Sequence, residues 1–430
     1  MRPARVLLLV RGLRDLRRAA DATALARADS PEQLAEVALI PAARNLAVAI
    51  SLLPKAQRDE STAAVLACRV LDAYEDLNPD RASAGRSVLS AARYLVGDQS
   101  IPPPPLHTHV ERDSEMVDSV LAERIGDVRI LLSRLPVTGH DRVRNMLIDI
   151  ATAMAANIDA PMQRIAYGER VLGRVVDYAC EVIVDDGESD CADVSEFAKC
   201  VGAAAQLAND LRDRELELYG AQTDAELMRE IVFRLLTPAL GTFALLSYLG
   251  PRTRSKGARA AVAYMAITTS SFFCGAVGVK SPYSRRLRLA GALVAAAGTG
   301  RWAEMVDRLR ASVDRTVESL LDSSTGAVPD SDAAPLFAAT DAPSRTTSMG
   351  PLVVESVLTL VGGLPTERLG GELPVQHVRR MMVADHLAFG SLERMHPGNS
   401  DAMHLLGTQF KTAAMSRRAP HSPLDSGRQR

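Results

Sequence analysis

Three carboxylates sit close together on one helix that is otherwise apolar, and this feature constrains the fold most. The run from Ser61 to Leu77 has no proline or glycine and is rich in alanine, leucine and valine, which predicts an α-helix. Asp72, Glu75 and Asp76 lie three and four residues apart, so they share one helical face. Carboxylates that converge on a buried helix repel one another and are costly to desolvate, and a hard divalent cation is their usual partner.

A second polar stripe lies far along the chain. Gln206, Asn209, Asp213 and Glu217 follow one another in steps of three, four and four, which places them on one face of a predicted helix. The other face of that helix is small or apolar. Two such stripes, each on a helix that packs into a bundle, predict the facing walls of one metal-lined pocket. The alternative for the first stripe alone is a solvated acidic turn on a surface helix.

The remaining sequence predicts an all-α protein. Aromatic residues make up only 4% of the 430 residues while alanine and leucine abound, as in a helical bundle. Ser30 followed by Pro31 is a helix start signal, Pro54 separates two helices, and four consecutive prolines after Ile101 predict an extended break. The predicted helices cover residues 42–53, 61–77, 80–97, 113–134, 141–157, 159–185, 192–219, 224–249, 257–276 and 284–318.

Composition excludes several function classes. A formal net charge of −2 gives no reason to expect nucleic acid as a partner. The five cysteines form no metal-finger spacing and are odd in number, which predicts free thiols in a reducing cytoplasm. No uncharged apolar run reaches 18 residues, so no transmembrane anchor is expected.

The two stripes and the residues around them resemble the motifs of the squalene and phytoene synthase family of isoprenoid enzymes. The family's first aspartate-rich motif, with an arginine before it, is matched by Arg69, Asp72, Glu75 and Asp76. Its second motif is matched by Gln206, Asn209, Arg212 and Asp213, with Glu217 in place of the last aspartate. The resemblance covers roughly residues 40 to 315.

Weaker matches extend the resemblance. Arg44 is similar to the arginine of the family's N-terminal Ser-Arg-Ser-Phe signature, although its neighbours differ. Tyr167 and Gly173 match the family's Tyr-x5-Gly-x-Val-Gly helix, with Val176 where the second glycine is expected. The segment that begins at Met265 and the basic run from Arg285 to Arg288 resemble further squalene synthase segments.

The resemblance implies a fold, a cofactor and roles. The fold is an isoprenoid synthase-type helical bundle with a central cavity lined by the two aspartate-rich motifs. Ionising an allylic prenyl diphosphate in that cavity requires Mg²⁺, because the leaving pyrophosphate carries concentrated negative charge. The implied metal ligands are Asp72, Glu75, Asp76, Asn209, Asp213 and Glu217. The implied substrate-binding residues are Arg44, Arg69, Gln206, Arg286 and Arg288. The candidate catalytic residues are Asp72, Asp76, Asp213, Arg212 and Tyr167, whose ring face can also attract a carbocation.

The departures from the family pattern predict a particular reaction. The eroded signature around Arg44, the branched Val176 and the altered end of the second motif at Glu217 suggest that the second diphosphate site is no longer needed. Some bacterial relatives of squalene synthase prenylate an aromatic acceptor such as a carbazole. We therefore expect transfer of a short prenyl group to an aromatic small molecule in secondary metabolism. The alternatives are head-to-head condensation of two prenyl diphosphates and a non-catalytic binding subunit.

Changes of composition divide the chain. Residues 1–320 are predicted as the synthase-like catalytic domain, 321–351 as a flexible linker, 352–414 as a small helical segment and 415–430 as a disordered tail. Four arginines between residues 11 and 18 predict either a basic amphipathic helix or an exposed helix face. His107 and His109, with Glu111, are a weak candidate for a metal site on the proline-rich loop.

Overall fold

Helices make up every regular element of the described chain. The computed structural model describes residues 22–98, 102–106, 113–162, 164–184, 194–195, 198–199, 201–203, 205–206, 245–246, 249–250, 252–253, 255–276, 280–309 and 311–312. No residue in these ranges lies in a β-strand, and the predicted all-α class is confirmed.

Twelve helices are bounded in the described ranges, and we number them in chain order. They are α1 (Ala22–Ala26), α2 (Pro31–Ala43), α3 (Asn45–Leu52), α4 (Lys55–Asp76), α5 (Arg81–Leu95), α6 (Asp113–Glu123), α7 (Ile125–Ser133), α8 (Val137–Asp159), α9 (Arg164–Arg170), α10 (Leu172–Ile183), α11 (Lys256–Ala276) and α12 (Arg288–Ala295). Residues 299–309 are also helical.

The central helix is α4, which carries the first acidic motif in its last two turns. It packs against α2, α3, α5, α6, α7, α8 and α10. Leu66, Val70, Leu71 and Tyr74 on this helix are at most 1% exposed. Each such side chain contributes roughly 1.5–3 kcal/mol through burial, so packing fixes α4 firmly in the core. The acidic motif therefore projects from a rigid support.

Several predicted boundaries are confirmed. The Oγ of Ser30 accepts a hydrogen bond from the backbone N–H of Gln33 at 3.2 Å, which caps α2 as predicted. The break at Pro54 separates α3 from α4, although α4 begins at Lys55 and not at Ser61. Asp80 caps α5 by accepting from the N–H of Ala82.

Three segments that were predicted as single helices are interrupted in the structure. The predicted helix 113–134 breaks at Arg124, whose guanidinium turns to the carbonyl of Leu25 and the carboxylate of Asp127. The predicted helix 159–185 is interrupted between Asp159 and residue 164, because a residue before proline avoids the α conformation and Ala160 is extended ahead of Pro161. The predicted helix 284–318 is divided by a turn at residues 296–298.

Other predictions lie outside the described residues and stay predictions. These are the basic N-terminal segment, the His107–His109 loop, the helix at residues 224–244, the linker, the 352–414 segment and the tail. In the part of the chain that the structure describes, no helix is both long enough and apolar enough to cross a bilayer.

Candidate active site

The first acidic motif lies at the C-terminal end of α4. Asp72, Glu75 and Asp76 occupy the last two turns, and α4 ends at Asp76. The carboxyl end of a helix carries partial negative charge from its free carbonyl groups, so three carboxylates there are unfavourable unless a cation compensates them. The end of α4 therefore concentrates negative charge, against which the positive charges of Arg69, Arg81 and Arg164 act.

Asp72 and Asp76 differ in their partners. Asp72 Oδ2 accepts a hydrogen bond from Arg69 Nη1 at 2.8 Å, whereas the carboxylate of Asp76 has no hydrogen bond or ion pair within the described ranges. Desolvation by the surrounding protein, followed by the charges of Asp72 and Glu75, raises the pKa of Asp76 to about 7. Asp76 is nevertheless open to solvent on one side, and water on that side moderates the rise. It stands at the edge of the cluster, where an incoming cation has access.

Glu75 is the most buried acid of the first motif, at 8% exposed. The hydroxyl of Tyr167 lies 2.9 Å from Glu75 Oε1 and 2.8 Å from Oε2, so it donates to this carboxylate. Burial raises the pKa of Glu75 although the Tyr167 hydrogen bond acts to lower it, and burial together with the Glu75 charge raises the pKa of Tyr167. The structure thus links the first motif to α9 through one buried contact. The predicted metal-ligand role of Glu75 stays a prediction.

Tyr167 differs in one respect from its predicted role. The guanidinium carbon of Arg164 lies 5.5 Å from the centroid of the Tyr167 ring, in cation–π range. That face already has a positive partner. The ring is 8% exposed, so what Tyr167 offers to chemistry is its hydroxyl group and its link to Glu75.

Asp118 is a site residue that the sequence reasoning missed. Its carboxylate is bound by Arg69 through two nitrogens, with Nε donating to Oδ1 at 2.8 Å and Nη2 to Oδ2. Burial raises the pKa of Asp118 to about 6, and the positive charges of Arg69 and, more weakly, Arg44 act against that rise. A signal was present in the sequence, because Asp118 lies on the apolar face that Leu121 and Ala122 define in α6.

Arg69 therefore has different partners from the phosphate that the family resemblance implies. Its guanidinium is shared between Asp118 and Asp72. Although burial acts to lower it, the charges of these two acids raise the pKa of Arg69 above its ordinary value. The phosphate-binding role of Arg69 stays a prediction.

Arg44 occupies a strained position beside this cluster. It connects α2 to α3 with φ 47° and ψ −115°, and no other non-glycine residue in the described chain has a positive φ. Such a backbone conformation costs about 1–3 kcal/mol and is frequent at functional sites. Arg44 is exposed, and its charge acts on buried Asp118. This arrangement agrees with a substrate-facing role for Arg44, which stays a prediction.

The start of the second motif lies next to Tyr167. A Cβ built on Gly168 would lie 2.7 Å from the Cβ of Gln206, and one built on Gly202 would lie 2.1 Å from the backbone nitrogen of Gly173. Only glycine allows backbones to approach this closely. Gln206 is 8% exposed and sits against α9, one residue along from the tyrosine that contacts the first motif.

The other second-motif residues, Asn209, Arg212, Asp213 and Glu217, lie outside the described residues, so their predicted roles stay predictions. Arg286 and Arg288 are described near the start of α12. Arg286 is exposed, and the largest charge effects on Arg288 come from Tyr264 and Arg285, not from the acidic motif. Their predicted phosphate contacts therefore also stay predictions.

The donor set at the end of α4 suits half of a magnesium site. Carboxylate oxygens are the ligands that Mg²⁺ prefers, and Asp76 together with Asp72 Oδ1 has no hydrogen-bond partner within the described ranges. No group of three histidine, cysteine or acidic side chains that could hold a metal occurs among the described residues. A complete site therefore requires ligands from outside them, as the second motif would supply.

Comparison with solved structures identifies the fold. The squalene synthase TcSQS in complex with the ligand E5700 aligns with a TM-score of 0.52 and 18% identity, covering 69% of this chain and 98% of that chain. The complex of TcSQS with the ligand BPH1237 aligns with the same TM-score and 17% identity, over the same shares of the two chains. The chain has the squalene synthase fold. No protein-family model matches the sequence. No curated protein matches it either.

Proposed function

We propose that this protein is a Mg²⁺-dependent prenyltransferase. It ionises a short allylic prenyl diphosphate and transfers the prenyl group to an electron-rich, carbazole-like aromatic acceptor in secondary metabolism, releasing pyrophosphate. The observation that carries the proposal is the buried contact between Tyr167 and Glu75, beside which Gln206 lies. It joins the end of the first acidic motif to the beginning of the second on the squalene synthase fold.

The donor half of the reaction follows from charge. Asp72 and Asp76 would hold Mg²⁺ from α4, and Asp213 and Glu217 would complete its ligands from the second motif. When bound, the cation would supply positive charge against the leaving pyrophosphate. Arg44 and Arg212 bind phosphate oxygens, a geometry for which the guanidinium fork is suited. The alanine- and leucine-rich helix faces exclude water from the carbocation.

The acceptor half rests on sequence. The changed residues around Arg44, the branched Val176 and Glu217 at the end of the second motif support loss of a second diphosphate site. Capture of the cation by an aromatic carbon then needs proximity and a base for the ring proton. Glu217, Tyr167 and the departing pyrophosphate are the candidate acceptors of that proton. Tyr167 can take it up as its own hydroxyl proton passes to Glu75.

Head-to-head condensation is the second candidate, because both structural neighbours are squalene synthases. A donor panel from dimethylallyl to geranylgeranyl diphosphate, with and without aromatic acceptors, separates the two by mass spectrometry. Prenylated aromatic product and pyrophosphate support our proposal. A squalene- or phytoene-type hydrocarbon made from diphosphate alone supports condensation and contradicts it. Absence of pyrophosphate release with every donor would identify a non-catalytic protein.

Val176 offers a test of the cavity. Val176→Gly should widen the passage and shift donor preference towards longer chains. Ala179→Gly, at an exposed position of the same helix, introduces the same residue at a backbone cost that is no smaller, and it removes no partly buried side chain. Equal shifts in both variants would show that helix flexibility, and not the Val176 side chain, sets the preference.

A further inference from the structure

Arg69 divides its guanidinium between two helices. Nε and Nη2 point to Asp118 on α6, and Nη1 points to Asp72 on its own helix. The two nitrogens that match a carboxylate fork are therefore used on Asp118, and a single nitrogen remains for Asp72. Bidentate arginine–carboxylate pairs are stronger and more directional than single contacts, so Asp118 decides where the guanidinium plane lies.

Asp118 is placed at considerable cost. It is 7% exposed and stands among buried neighbours, with Val117 at 3% and Leu121 at 0%. A buried carboxylate is tolerated only when it is paired and hydrogen-bonded, and Arg69 supplies that pairing here. The pair also adds a fourth carboxylate to a region that already holds the three acids of the first motif.

The orientation of Arg69 determines how much of the acidic motif stays available. With the fork on Asp118, Arg69 reaches only Oδ2 of Asp72, and Oδ1 and the whole Asp76 carboxylate remain without hydrogen bonds within the described ranges. The Asp76 charge already acts on Arg69, so this carboxylate is close enough to compete for the guanidinium. If Asp118 did not hold it, the Arg69 guanidinium would turn to Asp72 and Asp76 and occupy the oxygens that suit a divalent cation.

We propose that Asp118 is a positioning residue that holds the Arg69 fork on α6 and so keeps Oδ1 of Asp72 and the carboxylate of Asp76 free to bind a divalent cation. This inference rests on the proposed function only in taking the end of α4 as one half of a metal site. Asp118 itself touches neither the metal nor the substrate.

Asp118→Asn tests the proposal, with binding of Mn²⁺ alone to the full chain as the probe, followed by electron paramagnetic resonance. Groups that orient metal ligands typically contribute ten- to a hundredfold to affinity, so we expect Mn²⁺ to bind at least about tenfold more weakly. Steady-state turnover with an allylic diphosphate should need correspondingly more Mg²⁺, while kcat at saturating Mg²⁺ falls much less. A merely structural role would lower stability and the active fraction without this separation.

A matched control and a conservative variant complete the design. Asp127→Asn removes a similar arginine–aspartate pair, that of Arg124 and Asp127 on α7, and should leave Mn²⁺ affinity unchanged. Asp118→Glu retains the acid and should recover most of the affinity, which keeps the proposal testable if the asparagine variant unfolds. Wild-type affinity for Mn²⁺ in folded Asp118→Asn, or no recovery of that affinity in folded Asp118→Glu, would overturn this inference and leave the proposed metal site standing. Failure of the wild-type protein to bind Mn²⁺ would overturn the metal site and this inference together.

Discussion

The two ends of α4 carry the same kinds of side chain and use them differently. Near its start, Glu60 is 5% exposed and accepts hydrogen bonds from Arg142 Nε at 3.0 Å and Nη2 at 2.8 Å. The hydroxyl of Tyr178 lies 3.4 Å from the same carboxylate. At the other end, a tyrosine again reaches a glutamate, but three further acids, Asp72, Asp76 and Asp118, lie in the same region. Among the described residues one arginine, Arg69, contacts two of these carboxylates, those of Asp72 and Asp118.

The difference lies in charge balance. One buried acid matched by one arginine is complete in itself and joins α4 to α8. At the other end the acids outnumber the one described arginine that contacts their carboxylates, although Arg44, Arg81 and Arg164 also act on them. Excess buried negative charge lowers stability, and a bound cation would restore the balance. We therefore infer that the start of α4 serves the fold, and we propose that the end of α4 serves a ligand. Four predictions test this comparison.

Asp76→Asn should have the largest effect on activity. Losing one carboxylate ligand removes several kcal/mol of metal-assisted stabilisation, which corresponds to a decrease in turnover of about a thousandfold. Thermal stability should stay equal or rise, because a repelling charge is removed. Pyrophosphate release and calorimetry measure the two effects. Asp59→Asn, in the exposed first turns of the same helix, is the control and should change neither quantity. Wild-type turnover in Asp76→Asn would contradict the metal site.

Arg142→Ala should have the largest effect on stability. It leaves Glu60 buried without its arginine, and breaking a buried pair in this way costs about 3–5 kcal/mol. Turnover per folded molecule should remain close to that of the wild type. Chemical denaturation gives the free energy of unfolding, and Arg144→Ala, at an exposed position of α8, controls for loss of an arginine. If Arg142→Ala instead lost most of its kcat and little of its stability, the start of α4 would serve activity, and our assignment of the two ends would be wrong.

Tyr167→Phe and Tyr178→Phe form a matched pair. The first removes the hydroxyl that donates to Glu75, so we expect a loss of about 1–3 kcal/mol in unfolding free energy together with lower turnover. The second removes a longer contact to Glu60, which keeps Arg142, and should cost less and spare turnover. Equal losses of activity in both variants would show that the Tyr167 hydroxyl has no special role in turnover.

Arg44→Gly should have the smallest and most informative effect. Relief of the strain at the positive φ raises the free energy of unfolding by about 1–3 kcal/mol. The greater flexibility of glycine in the unfolded chain lowers it by about 0.5–1 kcal/mol, so we expect a net rise of about 1 kcal/mol. The KM for the diphosphate should increase at the same time. Arg44→Lys keeps the strain and the charge, and therefore should not gain stability. A stable Arg44→Gly variant with an unchanged KM would show that the strain has no connection with substrate.

Regular features of this molecule could be predicted from sequence because their causes are local. The cap at Ser30, the break at Pro54 and the shared face of Asp72, Glu75 and Asp76 follow from spacing and residue type alone. The break at Arg124 could not be predicted, because its cause is a carbonyl on α1 that is distant in sequence.

The partners within the site also depend on tertiary contacts. Nothing in the local pattern indicates that Glu75 would contact Tyr167 while Asp72 contacts Arg69 and Asp76 is exposed. The sequence marks Asp118 as an acid on an apolar helix face, but this pattern does not indicate that Arg69 is its partner. The ligands expected from the second motif beyond Gln206 are not among the described residues, so that half of the site remains a prediction from sequence.

The contact among Gly168, Gly173 and Gly202 limits how such a protein can be redesigned. Since a Cβ at Gly202 would meet backbone atoms, the spacing there is set by main chain and not by exchangeable side chains. A designer can reshape the surrounding side chains in small steps, but cannot lengthen or shorten this spacing gradually. Any residue larger than glycine at Gly202 forces the helices apart at once, together with Gln206 and the tyrosine beside it. Designed changes must therefore be made elsewhere in the protein, with this junction left intact.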